Sequence, residues 1–167
     1  MIEVIAASPD QAPILANLLE LYAHDFSEFL DLQIGEDGRF GYSSLPLYWT
    51  DPDRHPFLIR LDGNWAGLVL VKKDLLWDMA EFFILRGCRR RGIGTQVAHE
   101  IWKRFPGAWQ VRVLHANTAG QRFWAGAIAA FVGETVPGVS HERWTLFSFT
   151  SKDFSRCGRI PDSEPRP

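Results

Sequence analysis

Arg89-Arg90-Arg91-Gly92-Ile93-Gly94-Thr95 joins two runs of different periodicity, and the reading of this junction decides the fold. Upstream, Met79-Ala80-Glu81-Phe82-Phe83-Ile84-Leu85 is short, apolar and aromatic-rich, as a buried strand is. Downstream, Val97, Ala98, Ile101 and Phe105 recur at helical spacing, Gln96, Glu100, Lys103 and Arg104 supply a wet face, and Pro106-Gly107 stops the helix. A helix starting near Gly94 turns its unbonded N–H groups and positive dipole end into the junction, where Gly92 and Gly94 let a ligand approach the backbone. Strand, basic glycine-bearing turn and helix in that order predict a cradle for phosphate or pyrophosphate.

Two common phosphate loops do not fit. A Walker loop needs Lys-Ser/Thr after its second glycine, whereas Thr95 follows Gly94 directly. A dinucleotide fingerprint needs a third glycine, and none occurs between Gly94 and Gly107. What fits is R-x-x-G-x-G, formed by Arg89, Gly92 and Gly94, which resembles the pyrophosphate loop of the GNAT superfamily of acyl-CoA-dependent N-acetyltransferases. The resemblance continues. Trp109 to Leu114 alternates as a strand, and Thr118 and Gln121 are spaced as a capping box at the start of another helix. GNAT proteins begin a second motif here, N-x-x-A-x-x-(F/L)-Y, whose helix packs beside the pantetheine arm. This chain has Asn117, Gly120, Phe123 and Trp124, so glycine replaces alanine and tryptophan replaces the tyrosine that is often catalytic. Phe-Trp at this point is similar to a bacterial subgroup of predicted acetyltransferases. The resemblance covers about residues 78 to 149.

The resemblance implies an α/β fold: a mixed sheet of six or seven strands with helices on both faces, whose fourth and fifth strands splay to admit acetyl-CoA. Those strands would be Met79 to Leu85 and Trp109 to Leu114. The implied cofactor contacts are Phe83, Ile84 and Leu85 on the fourth strand, Arg89, Arg90, Arg91, Gly92, Ile93, Gly94 and Thr95 in the cradle, and Asn117, Phe123 and Trp124 on the following helix. Trp124 is expected against the pantetheine or acyl end, with Phe123 turned to the core. Some family members use a glutamate of the fourth strand as general base, which makes Glu81 the candidate. A primary amine has a pKa near 10, so only about one molecule in a thousand carries a free lone pair at neutral pH and a base helps. Phe82 and Phe83 would raise the Glu81 carboxyl by desolvation if it faces inward. Indole does not release a proton near neutrality, so either the thiolate leaves unassisted or Tyr22, Tyr42 or Tyr48 protonates it.

Composition sets bounds. The chain has 167 residues, 46% of them hydrophobic, enough for one domain with a substantial core. Residues 1–150 are expected to form it, with 151–167 as a mobile tail. A net charge of −2 makes the three arginines a local feature and argues against nucleic-acid binding. Cys88 and Cys157 lack metal-ligand spacing and read as reduced thiols, Cys88 as a packing residue. His24 and His55 likewise have no partner at ligand spacing, so no metal is expected. The acidic start without a signal peptide, and the lack of a membrane-length apolar run, predict a cytoplasmic protein, monomer or homodimer.

Elsewhere, Ile2 to Ala6 reads as a strand. Ser8-Pro9-Asp10-Gln11 is a helix start, with Ile14, Leu15, Leu18, Leu19 and Tyr22 as the apolar face. Phe57 to Leu61 and Trp65 to Val71 form a hairpin about Asp62-Gly63-Asn64, and Phe131 to Val136 pairs with Trp144 to Phe149 as two late strands. Asp25, Glu28, Asp31, Glu36 and Asp37, with Tyr48 and Trp49, lie where the acceptor side is implied. As a group they favour a small amine or a basic peptide end. The function expected is acetyl transfer from acetyl-CoA to a primary amine of a small molecule or peptide. The alternatives are a non-catalytic acyl-CoA-binding regulatory module and an unrelated phosphate or nucleotide binder.

Overall fold

Among the described residues, seven strands form one sheet in the order β1-β2-β3-β4-β5-β7-β6. The structure, a computed structural model, describes residues 1–152. The strands are β1 (Ile2–Ala6), β2 (Arg54–Leu61), β3 (Asn64–Lys73), β4 (Trp77–Ile84), β5 (Gly107–Leu114), β6 (Val139–His141) and β7 (Trp144–Ser151). The α-helices among these residues, α1 (Ala12–Phe26), α2 (Ile93–Arg104) and α3 (Thr118–Val132), cover it. Ser151, the first residue of the expected tail, instead closes β7, and its hydroxyl donates to the Trp102 carbonyl at 2.5 Å. The rest of the tail from 153, with Cys157, lies outside the described residues.

Alternation along the central strands decides which helix covers which face. Leu58, Leu68, Leu70 and Phe83 point to one side and pack with Leu15, Leu18 and Leu19 of α1, spaced three and four apart. Ile59, Val69, Val71 and Met79 point to the other and meet Val97, Ala98 and Ile101 of α2 and Ala127 and Ile128 of α3. Full burial of each such side chain contributes roughly 1.5–3 kcal/mol relative to exposure. Cys88 is a free thiol packed against this second core.

The short turns follow their residues. Asp62 and Gly63, with φ of 51° and 82°, make the expected β2–β3 hairpin turn. Ser8 and Gln11 form the expected capping box, Ser8 N donating to Gln11 Oε1 at 3.1 Å, but around a 3-10 turn that precedes α1 proper. The expected strand from Phe131 to Val136 is not formed. Trp124, Ala127 and Ile128 keep α3 helical to Val132, and Gly133 ends it at φ 88°. A short apolar run such as Phe131-Val132 does not reveal its own period. The strand that pairs with β7 is the three-residue β6.

One pairing creates the site. β4 and β5 run parallel but pair only at Trp77 with Trp109 and Asp78 with Gln110. At that closed end the two indoles stack with centroids 6.0 Å apart. Beyond Asp78 the strands diverge, and β4 from Met79 onward keeps its bonds to β3 alone.

Candidate active site

The cradle forms where β4 runs out. Arg90 and Gly92 adopt left-handed φ of 61° and 73°, reversing the chain so that α2 starts at Ile93. The first α2 bond to the turn is Gln96 N to Gly92 O, 3.1 Å. Among the described residues, the amides of Arg90 through Thr95 find no protein acceptor, which leaves a cluster of donors at a positive helix end. A side chain built at Gly92 would be strained by its φ, while one at Gly94 would stand 3.1 Å from the Phe123 ring. Gly94 thus serves packing between α2 and α3 as well as ligand approach. Arg89 is fixed from within: its Nε donates to the Ile84 carbonyl at 2.7 Å and its guanidinium bridges to Asp25 at the end of α1. Asp25 also takes Arg86 at 2.8 Å. Burial alone would raise the Asp25 carboxyl, but hydrogen bonds and charge from Arg89 and Arg86 hold it below its ordinary value.

A cleft of about 680 Å3 runs from this cradle between the diverged strands. Of the residues the resemblance implies as cofactor contacts, Phe83, Ile84, Arg89, Arg90, Gly92, Gly94, Thr95, Asn117, Phe123 and Trp124 line it. Three expected residues do not. Leu85 packs on the α1 side of the sheet, Ile93 is buried in the α2–α3 core, and the exposed Arg91 lies outside the cleft wall. Asn117 is the cap of α3 in place of Thr118: its Oδ1 accepts from Gly120 N at 2.8 Å, while Gln121 Nε2 donates to the His115 carbonyl at 2.8 Å. The expected orientation of the aromatic pair is reversed. Trp124 is the more buried, ringed by Phe82 at 4.9 Å and Trp102 at 6.1 Å, while half-buried Phe123 stacks on Phe82 at 5.8 Å over Gly94. Trp124 still forms part of the cleft wall.

Glu81 reaches the site through a bulge. Leu70 pairs with Glu81 and Val71 with Met79, so Ala80 is an extra residue in β4. In an unbroken strand Glu81 would share the α2–α3 face with Met79; the extra residue moves it to the α1 face, beside Leu70 and Phe83. There the Tyr42 hydroxyl donates to Glu81 Oε1 at 2.9 Å, and the Tyr22 hydroxyl approaches the same carboxylate. Burial raises the Glu81 carboxyl above its usual value, against the downward pull of the two phenol donors. Burial and the negative charge of Glu81 in turn raise both phenols well above theirs.

Glu81 borders a second cleft of about 330 Å3, which meets the first at Tyr22, Phe26, Met79, Ala80 and Arg112. The acidic group expected to line the acceptor side is not assembled. Asp31, Glu36 and Asp37 are exposed and border neither cleft; Asp25 and Glu28 reach the first cleft, but Asp25 is already held by two arginines, and none of the five borders the second. Tyr48 is buried away from both, its hydroxyl pushed up to about 12, chiefly by burial. Arg112 was not singled out from the sequence. Its signal lay in the alternation of β5, where Trp109, Val111 and Val113 are buried and Arg112 faces the other way. Among the described residues no group of three or more His, Cys, Asp or Glu is placed to hold a metal ion, and no helix is long and apolar enough to cross a membrane.

Free amides at a helix start, two strands splayed beside them and a carboxylate at the splay define an acyltransferase architecture, and known proteins agree. The family model described as Acetyltransferase (GNAT) family matches residues 15–127, so the chain belongs to that family of acetyltransferases. Among solved structures it resembles an acetyltransferase from Thermus thermophilus, with a TM-score of 0.67 at 17% identity over 90% of this chain and 97% of that one. The PaiA N-acetyltransferase of Thermoplasma acidophilum, in complex with coenzyme A, gives 0.63 at 12% identity, covering 92% and 99%. A ribosomal-protein alanine N-acetyltransferase from Escherichia coli gives 0.60 at 11%, covering 96% and 100%. No curated protein sequence matches the chain. At these identities the structural likeness establishes the fold.

Proposed function

We propose that the protein transfers an acetyl group from acetyl-CoA to a primary amine, with Glu81 as general base. The observation that carries this reading is the meeting of the two clefts at the bulged strand: one leads from an anion cradle, the other holds a carboxylate. The unbonded amides of Arg90 to Thr95 suit a pyrophosphate, and the unpaired β5 side of β4 suits the amide groups of a pantetheine arm. Bound there, acetyl-CoA would supply the activated thioester.

Glu81 then removes a proton from an ammonium held in the second cleft. Its raised pKa brings it nearer that of its substrate while the Tyr22 and Tyr42 donors keep it oriented. Those phenols do not suit the role of acid. A thiol ionises near 8.5, so a phenol held well above 10 would give up its proton uphill. We assign them to positioning Glu81, and thiolate departure proceeds without a protein acid. Family membership removes the unrelated nucleotide binder. The non-catalytic CoA-binding module draws on the buried Trp124 in the tyrosine position.

Thiol release from acetyl-CoA with a pooled amine library tests transfer. Turnover that depends on both an amine and Glu81 is expected. CoA binding with no thiol release from any amine would favour the regulatory module.

A further inference from the structure

The second cleft carries more information than the position of a base. Its polar side chains are few: Glu81, the Tyr22 and Tyr42 phenols turned to that carboxylate, and Arg112, with Gln33 turned to Asp31 at 2.6 Å. The remaining wall is mostly apolar, built from Leu19, Phe26, Leu30, Leu32, Phe40 and Trp144. Arg112 spends one donor on Asp78, Nη2 to Oδ2 at 2.8 Å, and its other N–H groups have no protein acceptor among the described residues. The side chain is 41% exposed, lies 5.9 Å from the Trp144 ring centroid, and borders both clefts. Asp78 does not cancel it alone, since Lys72 also reaches that carboxylate at 3.8 Å. A guanidinium with spare donors at the mouth of an apolar pocket is a carboxylate receptor. A polyamine would find a single carboxylate here and a repelling cation.

We propose that the acceptor is a small amine carrying its own carboxylate and an apolar side chain, in the manner of a hydrophobic α-amino acid, with Arg112 holding the carboxylate while the amine faces Glu81. A volume of about 330 Å3 suits a free small molecule. The protein amine end and the cationic amine are thereby disfavoured. This assignment rests on the acetyl-transfer reading above.

The test compares L-phenylalanine with phenethylamine, L-phenylalaninamide and spermidine, by thiol release for kcat/KM and by ligand-observed NMR for binding, in the parent, Arg112→Gln and Arg112→Lys. L-phenylalanine is expected to exceed phenethylamine by about 10- to 100-fold in kcat/KM, the worth of one charge-assisted hydrogen bond. Arg112→Gln should collapse that ratio and Arg112→Lys restore part of it, which a merely structural role would not do. Spermidine or phenethylamine turned over as well as L-phenylalanine would overturn the inference and leave acetyl transfer intact. Arg112-dependent binding of L-phenylalanine without acetylation of any amine would uphold the carboxylate receptor and defeat the transfer reading. L-phenylalanine that neither binds nor reacts overturns the proposal, and so does a ratio unaffected by either substitution.

Discussion

The Tyr42 hydroxyl and the Glu81 carboxylate meet at 2.9 Å across 39 positions of chain, one from the long connection after α1 and the other from the middle of β4. The bond favours the ionised carboxylate, so it opposes burial. Tyr42→Phe should therefore raise the Glu81 pKa further and move the acid limb of the kcat/KM profile to higher pH. In the parent that limb should already lie above the ordinary glutamate value of about 4.3. A limb that stays in place or moves down would show that Tyr42 does not govern the base.

Glu81→Gln should lower turnover by roughly 100-fold or more while CoA affinity, measured by calorimetry, changes little. The deficit should shrink at alkaline pH as free amine accumulates. Equal activity of variant and parent at neutral pH would place the base elsewhere.

The same substitution should stabilise the fold. Glu81 has a folded-state pKa above its unfolded value, so its contribution is complete below the unfolded pKa and is lost as pH rises through the folded one. Glutamine is neutral throughout. The gap in Tm between Glu81→Gln and the parent should widen in the variant's favour from about pH 4 to about pH 8, as thermal melts across that window would show. A gap that narrows would mean the carboxylate is better solvated than its burial implies.

Gly92→Val and Gly94→Val should each abolish CoA binding for different reasons. At Gly92 the obstacle is a φ of 73°, which a β-branched residue resists. At Gly94 it is the Phe123 ring, 3.1 Å from the new Cβ, displaced toward the cleft or against Phe82. Calorimetry on the folded variants decides; wild-type affinity in Gly94→Val would remove the cradle from cofactor binding.

Trp124→Ala should cost about 3–5 kcal/mol in urea denaturation, because the indole fills the space between Phe82 and Trp102. A loss under about 1 kcal/mol would mean that the ring packs on ligand and not on protein.

The parts legible in the sequence are those that local chemistry dictates. R-x-x-G-x-G at Arg89, Gly92 and Gly94 announced a helix start with free amides, and the run from Met79 announced the strand before it. The orientation of Glu81 was illegible because it depends on one extra residue, Ala80, which alternation counted along the chain cannot detect. Tyr42 as its partner is a long-range contact with no periodic signal. Asn117 and Thr118 both suit a cap, and only the backbone geometry chooses between them. The acidic residues between Asp25 and Asp37 misled for a general reason: charge clusters mostly face water, and the cation that matters, Arg112, stood alone in a strand.

Asp25 has a consequence for how the two ligands sense each other. It belongs to α1, whose Tyr22 and Phe26 wall both clefts, yet it grips Arg86 and Arg89 at the cradle. An anion arriving at the cradle would compete with Asp25 for Arg89, and release of that grip would be felt by the helix that walls the proposed acceptor cleft. Occupancy of one cleft then alters affinity in the other, and linkage requires the factor to be the same in both directions. Two titrations, acceptor with and without CoA and CoA with and without acceptor, should give that single factor, and Asp25→Asn should move it toward unity.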